Sequence, residues 1–416
     1  MGGTLPRLGH DRRHVVVAGR VGTRYPTRTA QEAPCRTRAT TNSRRPASRG
    51  TRSRSGSSRR CRTTSPTPPR RTRTASPRRR TRPRATQRTQ RTQRTQGTQR
   101  TRRSELTAAP DVTTRRCAEV SAAAGEQLGG SASAWNACLL IEQDGPWGPK
   151  VLRDTRLPAA VRDHLDLEGL RVLLIRRHGR TGRDQGAQGV RVMASWSGPE
   201  MSWLERRTLA DLDELLTVDL AGLVRGERPG WQPVEEPVVL VCTHGRRDVC
   251  CAERGRPVAA ALATHDPEGT WECSHVGGHR FAPNVVLLPA GLAYGRVEAG
   301  EAVALREAYA SGQLLTERLR GRVWQQPAAQ AAEVAIRQRL GLTGVDDVDA
   351  AVREVAPGAT TVTLEIRAGQ SAGRWAVEVQ QHTLEDEAGP VGVLSSCGDA
   401  DTSRASSWQV GPLRQA

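Results

Sequence analysis

The sequence contains no apolar run that approaches the roughly 20 residues needed to cross a bilayer. The only apolar run near its start, at residues 15–18, is too short for the core of a secretory leader, so we expect no secretory signal. Because we find neither a membrane span nor a secretory leader, we predict a cytoplasmic protein without a membrane partner, in which thiols stay reduced and cysteines serve metal or redox chemistry. Lysine is also scarce: it occurs once, at Lys150, against 62 arginines.

The arginines are concentrated in the first quarter of the chain. Residues 1–116 carry a net charge of +28 and the rest about −8, so the total of +20 does not describe the folded part. Residues 1–112 are rich in Arg and Thr and almost free of large apolar side chains, which predicts a disordered tail. Three interpretations remain: a solvated tail or a start codon placed too far upstream, an arm that binds nucleic acid or another polyanion, and a transit peptide. The length of the segment and its lack of an amphipathic helix disfavour the transit peptide.

The remaining residues suffice for two domains with ordinary cores. We predict an N-terminal α/β half over 113–231, a thioredoxin-like module over 232–325 and a small α+β region over 326–416. In the first half, apolar runs between turn residues predict strands at 135–142, 170–176 and 189–195, and helical spacing predicts helices at 157–167 and about 209–216.

The second α/β unit has the predicted order β-α-β-β-β-α, which is close to a thioredoxin-like arrangement. Its predicted elements are a strand at 238–242, a helix at 251–264, strands at 270–273, 284–288 and 293–297, and a helix at 301–310. The C-terminal region is predicted to contain helices at 327–340 and about 348–355, and strands at 360–366 and 375–379. Its lone Cys397 is expected to be an inert thiol.

Four of the nine cysteines and four of the nine histidines fall within the 38 residues from Cys242 to His279. This density of sulfur and imidazole ligands indicates a metal or iron-sulfur site, placed by the predicted strands at one end of the sheet. A Cys-x-His pair occurs twice, as in half of each Rieske box, but neither box is complete. His275 and His279 have zinc-finger spacing, although the cysteines are too far apart for a simple finger. His265 is expected to face solvent.

The motif has a more specific likeness. Cys242 is followed by an Arg-Asp pair and by Cys251 nine residues on, and then by His275-Val-Gly-Gly-His279 with Asn284 nearby. This pattern resembles the sucrase/ferredoxin-like family of thioredoxin-like ferredoxins, and the resemblance covers about 116–325. The resemblance implies a 2Fe-2S cluster held by two thiolates and two imidazoles, carried here by Cys242, Cys251, His275 and His279. Cys250, beside Cys251, is the alternative ligand.

Neighbouring residues are assigned supporting roles. Arg247 offsets thiolate charge and Asp248 orients a ligand loop, or the two form a loop ion pair. His244 and Cys273 are expected to be structural, because four ligands already complete the cluster. Arg280 and Asn284 shape the loop, and an unidentified redox partner protein docks near His279, with charge reversal at Arg280 as the test.

Three classes of function compete. The first is an electron-transfer ferredoxin, a carrier more than a catalyst, with a moderate and pH-sensitive potential. The second is a zinc-binding or thiol-based oxidoreductase that uses the vicinal Cys250 and Cys251. The third is a glycoside hydrolase, which needs two carboxylates across a sugar pocket. No acidic motif with aromatic sugar platforms is recognisable, so the hydrolase is the weakest of the three.

Overall fold

The computed structural model describes residues 115–179, 189–356 and 359–416, so the predicted disordered tail over 1–112 lies outside the described residues. The α/β class is confirmed, because one mixed ten-stranded sheet runs through the described residues of both predicted α/β parts. Its strands are β1 (Ala137–Glu142), β2 (Leu170–Arg176), β3 (Val190–Ser197), β4 (Ser202–Leu209), β5 (Gln232–Pro233), β6 (Val238–Cys242), β7 (Thr270–Cys273), β8 (Val285–Leu288), β9 (Leu292–Tyr294) and β10 (Leu319–Arg322). Hydrogen-bonded neighbours follow the order β10-β9-β8-β6-β7-β2-β1-β3-β4-β5.

The described residues also form six α-helices. In the described residues, the α-helices are α1 (Cys117–Ala123), α2 (Ala159–Leu165), α3 (Leu220–Val224), α4 (Val249–His265), α5 (Ala302–Ala310) and α6 (Pro327–Leu340). Two 3-10 helices add Leu212–Thr217 and His279–Phe281. None of these described helices has the length and apolar character that a membrane span requires.

The predicted helix at about 209–216 differs from the structure. Strand β4 continues to Leu209, which pairs with Val190 of β3, and the helical segment that follows is a 3-10 helix. Asp211 accepts a hydrogen bond from the backbone N–H of Asp213, and the Glu214 side chain accepts from the N–H of Asp211. This reciprocal capping starts the turn after residue 211 and separates it from the strand.

The thioredoxin-like module is built on β6, β7, β8 and β9. β6 is parallel to β7 and antiparallel to β8, and β8 is antiparallel to β9. The resulting order β7-β6-β8-β9 agrees with the predicted thioredoxin-like arrangement. Helices α4 and α5 pack against this part of the sheet through an apolar cluster that includes Val239, Val241, Val258, Leu262 and Leu305.

The N-terminal half continues the sheet of the module. β2 pairs antiparallel with β7, with Arg176 opposite Glu272. The Glu272 carboxylate is buried and accepts hydrogen bonds from Arg176 at 2.6 and 2.9 Å and from Thr243 at 2.8 Å. The predicted boundary at 231/232 therefore falls within one continuous sheet, and the division into domains stays a prediction.

The C-terminal region is α+β, as predicted, but one of the elements predicted for it is wrong. Helix α6 packs on a second sheet of strands β11 (Val348–Ala356), β12 (Ala359–Ile366), β13 (Gly373–Thr383) and β18 (Ser406–Val410), with β19 (Arg414–Gln415) also on β13. The region also contains two separate two-stranded sheets. One pairs β14 (Glu385–Asp386) with β15 (Gly389–Pro390), and the other pairs β16 (Gly392–Val393) with β17 (Ser403–Arg404). The predicted helix at 348–355 is a strand, because Val348 and Ala350 alternate into the core while the segment pairs with β12.

Candidate metal centre

The predicted ligand loops meet at one edge of the ten-stranded sheet. Cys242 ends β6, and Cys251 lies in the first turn of α4. His275 follows β7, and because β6 and β7 are parallel, their carboxyl ends share this edge. The Sγ atoms of Cys242 and Cys251 and a ring nitrogen of His275 lie within 4.8 Å of one another. The fold therefore assembles three of the four predicted ligands into a group that could hold a metal ion.

His279, the fourth predicted ligand, lies beside this group. Its ring centroid is 5.0 Å from that of His275. Its Nε2 hydrogen-bonds the backbone carbonyl of Ser395, which places the ring proton on Nε2. Its Nδ1 is buried and has no hydrogen-bond partner among the residues that the structure describes. Burial also lowers the pKa of His279, which favours the neutral ring. A buried lone pair without a donor is costly, and a metal ion would supply the missing partner.

The thiols of Cys242 and Cys251 have opposite pKa shifts. A hydrogen bond from the Cys251 thiol lowers the pKa of Cys242 well below its ordinary value, and His275 lowers it further. The same hydrogen bond, together with burial, raises the pKa of Cys251. These pKa shifts favour a thiolate at Cys242 and a neutral thiol at Cys251. This behaviour fits a thiolate-bound metal or cluster.

Two glycines lie in the loop from His275 to His279, which we call the histidine loop, and allow its backbone to turn. Gly277 and Gly278 have φ of 94° and 68°, in the region that favours glycine. A Cβ added at Gly278 would clash with the guanidinium of Arg320. Asn284 donates to the Gly278 carbonyl at 2.9 Å and accepts from Arg320 at 2.8 Å. Asn284 therefore shapes the loop, as the sequence analysis predicts.

Arg320 is a buried cation that the sequence analysis missed. Its side chain is fully buried, and its hydrogen-bond acceptors are neutral oxygens of Ser131, Gly277 and Asn284. Burial lowers the pKa of Arg320 to about 9, so the guanidinium stays charged at neutral pH. A buried positive charge without a carboxylate partner is expensive. A negatively charged group at the neighbouring thiolates would compensate it.

His244 has a structural contact on each ring nitrogen. Nδ1 accepts from the backbone N–H of His275 at 3.2 Å, and Nε2 donates to the Gly148 carbonyl at 2.8 Å. Burial lowers the pKa of His244, so the ring is neutral. Both nitrogens are occupied, which fits the predicted structural role. Cys273 is also buried, and burial raises its pKa well above the ordinary value.

Asp248 and Arg247 do not form the loop ion pair considered above. Among the described residues, the Asp248 carboxylate instead accepts from the backbone N–H of Cys250 at 2.9 Å, the N–H of Cys397 at 2.8 Å and the Ser396 hydroxyl at 2.9 Å. Asp248 is buried and caps α4, whereas Arg247 is exposed. The carboxylate therefore connects the ligand helix to the C-terminal region.

A second group of side chains that could hold a metal ion includes Asp248. The Sγ atoms of Cys117, Cys250 and Cys397 and a carboxylate oxygen of Asp248 lie within 4.8 Å of one another. Cys250 and Cys251 are thus neighbours in sequence that belong to different groups. Cys117 and Cys397 were not predicted as ligands, because neither lies near the cysteine and histidine cluster in sequence.

Arg280 is held by a buried carboxylate. It donates three hydrogen bonds to Glu126, of 2.8 to 3.0 Å, and Glu126 also accepts from Ser121 at 2.7 Å. Charge reversal at Arg280 would leave two carboxylates facing each other. That variant would perturb the histidine loop as well as any docking surface, so it is a poor test of partner docking.

Comparisons with known proteins agree with the motif. The family model described as Sucrase/ferredoxin-like matches residues 128–321, which include all four predicted ligands but neither Cys117 nor Cys397. The chain is also similar to "Altered inheritance of mitochondria protein 32" of the yeast Meyerozyma guilliermondii, with 37% identity over 76 residues. That match spans 16% of this chain and 27% of the yeast protein. No solved structure matches the chain significantly.

Proposed function

We propose that this chain, whose residues 128–321 belong to the sucrase/ferredoxin-like family, carries electrons on a 2Fe-2S cluster held by Cys242, Cys251, His275 and His279. The observation that supports this most is the buried Nδ1 of His279, which lacks a hydrogen-bond partner within the described ranges and whose ring lies beside His275, a member of the group with two thiols. Thiolates are the usual ligands of iron-sulfur clusters, and two histidines replace two cysteines in Rieske centres.

The chemistry of such a ligand set favours electron transfer at a moderate potential. When bound, the cluster supplies a one-electron couple, and two neutral imidazoles in place of two thiolates remove two negative charges. In Rieske centres this substitution accompanies potentials of roughly −150 to +300 mV, against about −400 mV for plant-type ferredoxins. We infer a potential above the plant-type value for this protein.

Each surrounding residue has a defined task in this proposal. His244 fixes the backbone of His275 through its Nδ1. The Ser395 carbonyl accepts the Nε2 proton of His279, which leaves Nδ1 unprotonated and able to bind a metal. Arg320 supports the glycine turn and provides a positive charge near the thiolates. These contacts orient the ligands and adjust the charge of the site.

The alternatives receive less support. A thiol-based oxidoreductase that closes a Cys250–Cys251 bond is disfavoured, because the two sulfurs belong to different groups. Zinc at the Cys242 site would use the same donors but would leave the protein colourless. The unidentified redox partner and the cytoplasmic location stay predictions.

Iron and acid-labile sulfide analysis of protein purified without oxygen tests the proposal. We expect about two irons and two sulfides per chain, with visible absorbance. Protein that contains zinc at the Cys242 site, and no iron after expression with ample iron, would contradict it. A matched Cys138→Ala variant, which removes a buried thiol that belongs to neither metal-binding group, should keep the iron.

The reduction potential is expected to fall as pH rises from about 6 to 9. A ligating imidazole loses its second ring proton more readily when the iron is oxidised, so deprotonation stabilises the oxidised state. The slope reaches about 59 mV per pH unit where one proton accompanies one electron, the tenfold value for a one-electron couple. Protein-film voltammetry across this window measures it. A potential that stays constant would rule out a deprotonating histidine ligand.

A further inference from the structure

We propose that Cys117, Cys250, Cys397 and Asp248 bind one zinc ion at a second, structural site. This inference goes beyond the proposed electron-transfer function and does not depend on it. The four side chains come from three distant segments: the start of α1, the start of α4 and the loop after β16. Cys117, Asp248 and Cys250 are buried, and Cys397 is half-buried. Three soft sulfur donors and one carboxylate form a complete set of four ligands for tetrahedral zinc.

The separations of the donor atoms agree with tetrahedral zinc. Zinc bonds of roughly 2.3 Å to sulfur and 2.0 Å to oxygen place two sulfurs about 3.7 Å apart and a sulfur about 3.5 Å from an oxygen. The Cys117 and Cys397 sulfurs are 3.6 Å apart, and the Cys117 sulfur is 3.6 Å from each Asp248 oxygen. The Cys250 and Cys397 sulfurs are 3.2 Å apart, which is shorter than this but far beyond the roughly 2.05 Å of a disulfide.

The electrostatics of the group call for a cation. The Asp248 carboxylate is buried beside the three thiols and accepts hydrogen bonds from the backbone N–H groups of Cys250 and Cys397 and from the Ser396 hydroxyl. In the described structure, the four side chains hydrogen-bond to one another, to the Ser396 hydroxyl and to backbone amides, and none of these partners is cationic. A divalent ion would neutralise this buried negative charge and allow all three thiols to ionise.

The site has the character of a structural zinc site. Four protein ligands leave no open position for substrate or water, which is typical of structural zinc. The bound ion would join α1, α4 and the C-terminal loop, since Ser396 and Cys397 both donate to Asp248. The preceding residue, Ser395, accepts from His279. Zinc at this point would therefore fix the backbone carbonyl that orients the histidine ligand.

The two sites can be separated by metal analysis of variants of the full-length protein. We expect about one zinc per chain in the wild type. Cys397→Ser should lose the zinc and keep the iron, Cys242→Ser should lose the iron and keep the zinc, and Cys138→Ala should keep both. Loss of zinc in Cys242→Ser with retention in Cys397→Ser would show that zinc occupies the other site, and would overturn the proposal.

A measurement on the wild-type protein tests the zinc site without relying on variants that could fail to fold. Zinc-edge X-ray absorption should report three sulfurs at about 2.3 Å and one oxygen at about 2.0 to 2.2 Å. Wild-type protein that holds iron but no zinc would overturn the proposal and leave the electron-transfer function intact. A Cys250–Cys397 disulfide found by mass spectrometry in anaerobically purified protein would overturn it as well.

Discussion

Replacing Cys251 with serine is expected to reduce the iron content from about two atoms per chain to nearly none. The Cys251 sulfur lies within 4.8 Å of the Cys242 sulfur and a ring nitrogen of His275. A serine hydroxyl at neutral pH does not ionise to replace the thiolate that iron requires. Iron analysis and visible spectra of the purified variant measure the effect.

The neighbouring Cys250→Ser variant is the matched control. Its sulfur belongs to the group with Cys117, Asp248 and Cys397, so we expect the iron to stay and the zinc to be lost. The two substitutions are the same chemical change at adjacent positions of one helix turn, so opposite metal losses would identify which sulfur belongs to which site. If Cys250→Ser lost iron and Cys251→Ser kept it, the assigned ligand set would be wrong.

Replacing Arg320 with methionine is expected to lower the reduction potential by on the order of 50 mV. Reduction adds one negative charge to the site, and the buried guanidinium stabilises that charge. Removing it therefore disfavours the reduced state, and 50 mV corresponds to roughly 1 kcal/mol for a one-electron couple. Voltammetry reads the potential of intact clusters only, so partial loss of folded protein does not obscure the result.

Arg318→Met provides a comparison two residues away. Arg318 is partly exposed and pairs with Glu298 and Glu301, so solvent screens its charge. Its replacement should leave the potential nearly unchanged. Equal potentials for Arg320→Met and the wild type would show that the buried charge does not act on the cluster.

Much of the α/β fold can be predicted from local patterns. The runs at 170–176, 238–242 and 270–273 are strands with the predicted bounds, because short apolar segments between turn residues fit buried strands. The alanines of segment 348–355 suit a helix, whereas pairing with β12 makes it a strand. The sequence does not predict β4, which carries the charged residues 205–207, or β10, which contains two buried arginines.

For the candidate site, residues that are close together in the sequence can be predicted, whereas residues that only folding brings together cannot. The four proposed iron ligands lie within 38 residues, so their spacing is visible in the sequence. Cys117 and Cys397 are 280 residues apart, and only folding brings their sulfurs together. Arg320 and Glu126 were missed for the same reason: each contacts the histidine loop from a distant segment.

Electron paramagnetic resonance of the chemically reduced protein tests directly whether the chain holds one 2Fe-2S cluster. The protein should be expressed with ample iron and purified without oxygen. The account predicts coloured protein whose reduced form gives a signal of about one unpaired electron per chain, as one 2Fe-2S centre requires. Colourless, iron-free protein without a signal would contradict it.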